Sequence, residues 1–202
     1  MQVTTARSLV GTTMPDGTFN AGRYTTEFEP ALSFRVSEGW KPIYPESPDA
    51  LRILGPEAGE IDFSDPSHVF DPSTLSSPKE VSPPENTDEW VSWFRRYPNV
   101  NASEPVPVSV GGASGLRIDV TSTAETYVRD LCGPSPCIPL FPYGGTEVGN
   151  LALFGPSEKN RFLIVDVKGE TVVINVVAWS SSFDEFLPKA QKLLDAVEWE
   201  RT

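Results

Sequence analysis

The sequence is poor in the residues on which most catalytic and metal sites depend. Among 202 residues it has one histidine, His68, and two cysteines, Cys132 and Cys137. A structural zinc site takes four Cys or His ligands, and a Ser-His-Asp triad in this chain would have to use His68. No local sequence indicates partners for His68, so we interpret it as a loop or edge-strand residue, and we predict no metal and no cofactor.

Basic residues and long apolar runs are also scarce. The chain has 16 Lys and Arg against 28 Asp and Glu, a formal net charge of -12. Such a surface repels phosphates and anionic lipids, so no nucleic acid partner and no direct membrane insertion are expected. No apolar stretch reaches the length of a membrane span, and residues 1–22 lack the basic head and apolar run of a signal peptide. Taken literally this favours the cytoplasm, but the polar opening equally suits the linker of an exported protein.

The two cysteines lie in the proline-rich segment "LCGPSPCIPLFPYGG", residues 131–145. Redox motifs of the thioredoxin type place two residues between their cysteines at the start of a helix, whereas this pair is separated by four residues, including Pro134 and Pro136. A small disulfide ring between Cys132 and Cys137 is therefore predicted, with a contribution of roughly 2 kcal/mol on the chain-entropy model. Two reduced surface thiols, or metal or redox chemistry, are the alternatives. A structural disulfide favours an extracellular or cell-surface location, with the cytoplasm as the alternative.

Short alternating segments predict a chain dominated by strands. The near-continuous apolar run at 171–179 predicts a central strand covered on both faces. The segment 39–49, "GWKPIYPESPD", is predicted to be a loop broken by prolines. The predicted strands are 23–28, 32–36, 50–55, 60–64, 68–70, 104–110, 115–122, 149–155, 161–167 and 171–179.

Two helices are predicted. The first begins at Thr87 as its cap and ends before Pro98, and its aromatic residues at i, i+3, i+4 and i+7 form one face that we assign to the core. The second has a capping box formed by Ser182 and Glu185, followed by an apolar stripe. The chain is therefore predicted to be α+β, with a mostly antiparallel β-sheet flanked by two helices. Residues 1–22 are predicted to be a flexible leader or linker, and residues 23–202 a single domain.

Four segments carry a family resemblance: "YTTEFEPALSFRVSEGW", "DEWVSWFRRYPNVNASEPVPVSVGGASGLRIDV", "CGPSPCIPLFP" and "FLIVDVKGETVVINVVAWSSSFDEFLPKAQKLLDAVEW". Together they resemble an uncharacterised group of bacterial exported proteins, often lipoprotein-like. The order of strands and helices is similar to the PsbP-like fold of photosystem II extrinsic proteins, an α/β/α sandwich. The resemblance implies a compartment and a fold but no catalytic residue, and a fold by itself does not define a function.

Two functions are compatible with the sequence. The first is a non-enzymatic extracytoplasmic binding or accessory domain with an unknown protein or small-molecule partner. The alternative is a hydrolase of unrecognised type that uses His68 and loop carboxylates. Asp62, Asp65 and Asp71 lie close together in the sequence, but their spacing does not match a calcium-binding EF-hand loop.

A ligand site is expected on the loops, because the sheet faces should be covered by the two helices. The two long proline-rich loops are 71–86 and 129–148. The second contains apolar residues that either enter the core or form an exposed patch for a partner or ligand. These residues are Ile138, Leu140, Phe141 and Tyr143.

Overall fold

The computed structural model describes residues 7–8, 18–74, 79–98, 100–122, 137–142 and 151–200. Within these ranges the protein has the predicted α+β fold, with mostly antiparallel sheets and two helices, α1 (Thr87–Arg95) and α2 (Phe183–Leu194). Neither of these helices is both long enough and apolar enough to cross a membrane.

Sixteen strands are described in these ranges. They are β1 (Arg7–Ser8), β2 (Gly22–Thr25), β3 (Leu32–Val36), β4 (Lys41–Ser47), β5 (Ala50–Leu54), β6 (Glu60–Ser64), β7 (Val69–Phe70), β8 (Glu80–Val81), β9 (Val100–Ala102), β10 (Val106–Val110), β11 (Ala113–Ser122), β12 (Ile138–Pro142), β13 (Leu151–Phe154), β14 (Glu158–Val167), β15 (Glu170–Trp179) and β16 (Glu198–Trp199).

Eight of these strands form a main antiparallel sheet in the order β10-β11-β14-β15-β6-β5-β4, with β9 also paired to β11. The order in a smaller sheet is β1-β2-β3-β16, and two further pairs are β12-β13 and β7-β8. The predicted central strand is confirmed, because β15 lies between β14 and β6. Its side chains alternate between two buried clusters, with Ile174 in the cluster that contains α2 and Val173 in the cluster that contains α1. The two helices therefore cover opposite faces of the main sheet.

Two segments that were predicted to lack regular structure are strands. Segment 39–49 contains β4, which is an edge strand of the main sheet and has an irregular register between Ile43 and Ser47. An edge strand tolerates Pro42 and Pro45 because one side of its backbone has no ladder to complete. The apolar segment after Cys137 forms β12, which pairs with β13 through a register shift between Pro139 and Phe141. In this protein, prolines therefore occur in an edge strand of the main sheet as well as in loops.

The predicted caps of both helices need correction. The cap of α1 is Asn86 instead of Thr87. Ser182 precedes α2 but makes no side-chain capping hydrogen bond, so the predicted capping box is not formed. Within the predicted leader 1–22, Phe19 is buried in the core and its amide donates to the Trp40 carbonyl at 2.8 Å. Phe19 thus packs with the core, and the division into a leader, 1–22, and a single domain, 23–202, stays a prediction.

An ion pair between the neighbouring strands β11 and β14 predicts that the stability of the fold depends on pH. Arg161 donates to both carboxylate oxygens of Asp119, from Nε at 2.6 Å and from Nη2 at 2.9 Å. These hydrogen bonds, followed by the positive charges of Arg161, Arg117 and Lys159, lower the pKa of Asp119 from its ordinary value of 3.8 against the opposing effect of burial. A lowered folded-state pKa stabilises the fold above the unfolded pKa, and this contribution is lost as the pH falls through the folded pKa.

Asp119→Asn is therefore expected to lower the free energy of unfolding by about 1 kcal/mol at neutral pH, because the pair is bidentate but partly exposed. The measurement is urea unfolding of both proteins from about pH 7 to pH 3, with the difference shrinking below the ordinary pKa of 3.8. A difference that is unchanged at the lowest pH would show that the lost stability does not come from the ionised carboxylate.

Candidate functional site

An open groove of about 810 Å³ lies between α1 and the proline-rich segment that includes β7 and β8. Its volume is in the range of small-molecule sites in proteins. The predicted ligand loop 71–86 supplies one wall, with Asp71, Pro83 and Pro84, and α1 supplies the other, with Trp93. Arg96, which directly follows α1, also lines the groove.

The first turn of α1 is fixed by reciprocal hydrogen bonds. The Asn86 side chain accepts from the Glu89 amide at 3.0 Å and donates to Glu89 Oε1 at 2.9 Å. The other oxygen of Glu89 accepts from the Glu85 amide at 3.1 Å. These bonds satisfy donors that a helix N-terminus otherwise leaves without partners. Glu89 lines the groove, but its carboxylate is thus already used in holding the wall in place.

The aromatic stripe of α1 is core, as the helical spacing predicts. Trp90, Trp93, Phe94 and Tyr97 are all buried, and their rings contact one another at centroid distances from 4.9 to 6.2 Å. These side chains are at most 3% exposed, so the face packs in the core and, of these four residues, only Trp93 lines the groove. Ser92, which lies between these residues in the sequence, is exposed and lines the groove.

Tyr97 ties α1 to the wall of the groove. Its buried hydroxyl is within hydrogen-bond distance of two carbonyl oxygens, that of Phe70 at 3.0 Å and that of Pro139 at 3.2 Å. Burial, and then the negative charge of Asp71, raise the pKa of Tyr97, so the phenol stays protonated and can donate. One side chain thus connects the helix with β7 and β12.

The charged side chains of the groove differ in the hydrogen bonds and ion pairs that they form within the protein. Asp71 accepts from the amide of Ser73 at 2.9 Å and from its hydroxyl at 2.8 Å. These bonds, followed by the nearby charges of Arg96 and Lys79, lower the pKa of Asp71, so it stays ionised. Arg96 is exposed and forms no salt bridge with any residue in the described part of the chain. The groove therefore presents a guanidinium whose hydrogen-bond donors are available to a ligand.

The structure does not bring the predicted hydrolase residues together. His68 is exposed, does not line the groove, and its Nδ1 lies 3.1 Å from the hydroxyl of its neighbour Ser67. Asp62 is buried on the main sheet, whereas Asp65 and Asp71 lie in loops. Within the described ranges, no three His, Cys, Asp or Glu side chains are grouped so that they could hold a metal ion. The groove itself contains no pairing of a nucleophile with a histidine base.

Of the two alternatives for the apolar residues after Cys137, the structure shows entry into the core, instead of an exposed patch, for the three residues that it describes. Ile138, Leu140 and Phe141 are each 1% exposed and belong to the core cluster that contains α1. Their strand, β12, turns them inward because it lies over this cluster instead of forming an irregular surface loop. Tyr143 lies outside the described residues.

The predicted disulfide stays a prediction. Cys137 is buried, and none of the described residues is a free cysteine, but Cys132 lies outside the described ranges. Titration of the denatured, unreduced protein with a thiol reagent is expected to find close to no free thiols. Replacing both cysteines by serine should leave the fold intact and lower the free energy of unfolding by about 2 kcal/mol. Two reactive thiols in the unreduced protein would contradict the bridge and remove its support for an exported location.

Comparisons with known proteins give only distant structural matches. No family model and no curated protein matches the sequence. A solved structure from Bacteroides thetaiotaomicron VPI-5482 is similar with a TM-score of 0.37 and 9% identity. The similarity covers 84% of this chain and 45% of the other, so this chain spans less than half of that protein's length. LpqN of Mycobacterium tuberculosis, described as involved in cell envelope biogenesis, is similar with a TM-score of 0.35 and 9% identity. The similarity covers 96% of this chain and 88% of LpqN. Matches at these TM-scores assign neither a family nor a function to this chain.

Proposed function

We propose that this protein is a non-enzymatic binding domain that works outside the cytoplasm and holds its ligand in the groove between α1 and residues 71–73 and 81–84. The observation that carries the proposal is the groove itself, with its volume of about 810 Å³ and the guanidinium of Arg96, which has no salt bridge within the described ranges. The location outside the cytoplasm is supported by the predicted disulfide loop.

The chemistry of the groove indicates the kind of ligand. Arg96 offers planar donors that suit a carboxylate or phosphate group, while the carboxylates of Asp71 and Glu89 already accept hydrogen bonds from the protein. Pro83 and Pro84 add a stiff apolar wall. The ligand is therefore a small molecule or chain segment with one anionic group next to an apolar body.

A hydrolase is not favoured by any observation in the described ranges. His68, the one histidine of the chain, has its ring within hydrogen-bond distance of Ser67 and is not among the described residues that line the groove. A general base must lie within hydrogen-bond reach of the group that it activates.

The test is NMR titration of the ¹⁵N-labelled protein with a panel of small carboxylic acids and their matched primary alcohols. We expect some acids, but not their alcohols, to shift the amides of the groove and the indole N–H of Trp93. Arg96→Ala is expected to weaken acid binding about tenfold or more, because a hydrogen bond to a charged group contributes about 1.5–3 kcal/mol.

Arg95→Ala is the matched control. Arg95 precedes Arg96 but is already paired with Glu104 at 3.0 Å and donates to the Ser103 carbonyl at 3.1 Å. Acid binding should therefore be unchanged in this variant. Equal losses in both variants, or shifts confined to amides far from the groove, would contradict the proposed site.

A further inference from the structure

A strip of polar side chains lies on the main sheet, away from the groove. Glu158 and Asn160 of β14 point to the same face, as do Asn175 and Trp179 of β15, because side chains two residues apart share a face and Glu158 lies directly opposite Trp179. Glu60 of β6 lies opposite Val177 on that face. We call these five residues, Glu60, Glu158, Asn160, Asn175 and Trp179, the polar strip.

The outer end of the strip is an exposed indole. Trp179 is 52% exposed, and among the described residues the only other large apolar side chain classed as exposed is Val106, at 42%. The other tryptophans of known environment are buried or packed against the core. Glu158 lies directly opposite Trp179, and side chains in such positions of two antiparallel strands have Cβ atoms about 5 Å apart.

Glu158 is a half-buried carboxylate whose negative charge is not paired with a cation among the described residues. Burial raises its pKa, a hydrogen bond from the Gly155 amide to Oε2 at 2.9 Å opposes this, and the charge of Glu60 raises it further. Glu60 has its own cation, Arg52, at 2.6 Å. Glu158 has no salt bridge to any described residue, so it retains capacity to accept hydrogen bonds.

The inner end of the strip has amide groups that lack partners. Asn175 Nδ2 donates to Asn160 Oδ1 at 3.1 Å. The remaining atoms, Asn160 Nδ2 and Asn175 Oδ1, are buried and have no hydrogen-bond partner within the described part of the molecule. Asn160 is 1% exposed and Asn175 is 6% exposed. An unsatisfied buried polar group destabilises a fold, and such groups are rare in folded proteins.

We propose that the polar strip is a saccharide-binding site. A sugar ring is apolar on its C–H faces and carries hydroxyls that both donate and accept. The apolar face of one ring would cover Trp179, and its hydroxyls would donate to Glu158. Asn160 and Asn175 lie about 7 Å and about 13 Å farther along the strands, so the hydroxyls of a following ring would accept from Asn160 Nδ2 and donate to Asn175 Oδ1. A cationic ligand would suit Trp179 and Glu158 but leaves the donor Asn160 Nδ2 without a partner, so it matches fewer of the groups. An anion is repelled by Glu60 and Glu158.

The proposal is tested by screening the wild-type protein on an array of soluble oligosaccharides and immobilised polysaccharides, followed by calorimetry with the best binder. The soluble and the polymeric arms distinguish a free sugar from a polymer as the source of the ring. Tetramethylammonium chloride is titrated in parallel as the cation probe. We expect at least one saccharide to bind, and Trp179→Ala to weaken its binding at least tenfold, because a stacked ring contributes more than its contact area alone.

Two further variants make the test specific. Glu158→Gln keeps the acceptor for the Gly155 amide but removes the charge, and we expect weaker saccharide binding with unchanged thermal stability. Val106→Ala removes the other exposed apolar side chain and should change nothing. Arg96→Ala, in the groove, should also leave saccharide binding unchanged, which separates this proposal from the one above.

Three outcomes would overturn the saccharide site. The first is the absence of any saccharide signal above that of Trp179→Ala. The second is binding of tetramethylammonium with no saccharide binding, which would assign the strip to a cation. The third is saccharide binding that is as strong in Trp179→Ala and in Glu158→Gln as in the wild-type protein, which would place the sugar elsewhere on the protein.

Discussion

Phe186→Ala is expected to lower the free energy of unfolding by about 3–5 kcal/mol, the usual cost of truncating a buried phenylalanine. Phe186 of α2 is fully buried, and its ring packs against Trp40 at a centroid distance of 5.8 Å. Its ring also lies so close to Gly55 and Gly59 that a Cβ atom built on either glycine would come within 2.5 Å of it. Rigid backbone therefore lines much of the void that alanine would leave, and the site cannot collapse easily. Urea unfolding followed by circular dichroism measures the loss.

The adjacent residue provides the control for this prediction. Leu187 is only partly buried against the same core cluster. Leu187→Ala should therefore cost much less, about 1 kcal/mol, because less area and fewer contacts are removed. If the two variants lost equal stability, the packing of α2 against the two glycines would not be the source of the effect.

Gly115→Ala is expected to lower the free energy of unfolding by about 3 kcal/mol or more, or to prevent folding. Gly115 lies in β11, where a Cβ atom would be 2.0 Å from the Ile164 carbonyl oxygen and 2.7 Å from Val165 Cα on the neighbouring strand. Both are backbone atoms, so they can move aside only by opening the ladder between β11 and β14. The measurement is the soluble yield together with urea unfolding of whatever protein is recovered.

Gly112→Ala serves as the comparison. Gly112 lies in the turn before β11 with a φ of 86°, and nothing lies within 4 Å of its Cβ position. The cost of alanine there is backbone strain alone, about 1–2 kcal/mol. A Gly112→Ala loss that matches or exceeds that of Gly115→Ala would show that steric clash between β11 and β14 is not what makes Gly115 necessary.

Alternation along the sequence was sufficient to locate most of the main sheet. The hydrophobic pattern of β15 predicted a strand buried on both faces, and the aromatic spacing of α1 predicted its buried face, because burial is a periodic property of a single element. The pattern failed where proline dominated. Pro42 and Pro45 suggested a loop, since nothing in a single segment reveals that its strand lies at the sheet edge.

The candidate sites were harder to predict, because they are made by neighbours in space. Loop 71–86 was expected to contact a ligand, but the opposite wall of the groove comes from Trp93 and Arg96, which the sequence presented only as parts of a helical segment. Ser92 and Arg96, four residues apart, were the available signal, since this spacing places two polar side chains on one side of a helix. For Asn160 and Asn175 no local signal existed, because only the register between β14 and β15 brings them together.

The pairing of β16 with β3 has a consequence for synthesis on the ribosome. β16 follows α2, yet it completes the small sheet beside β3, where the Glu200 amide donates to the Ala31 carbonyl and the Trp199 indole donates to the Val110 carbonyl. A nascent chain has therefore made every described strand of the main sheet before β16, the second neighbour of β3 after β2, emerges. Until then β3 presents an unpaired edge of the kind that recruits other chains. Chaperone binding or aggregation of stalled nascent chains should thus concentrate on this early strand and end when residues 198–200 emerge.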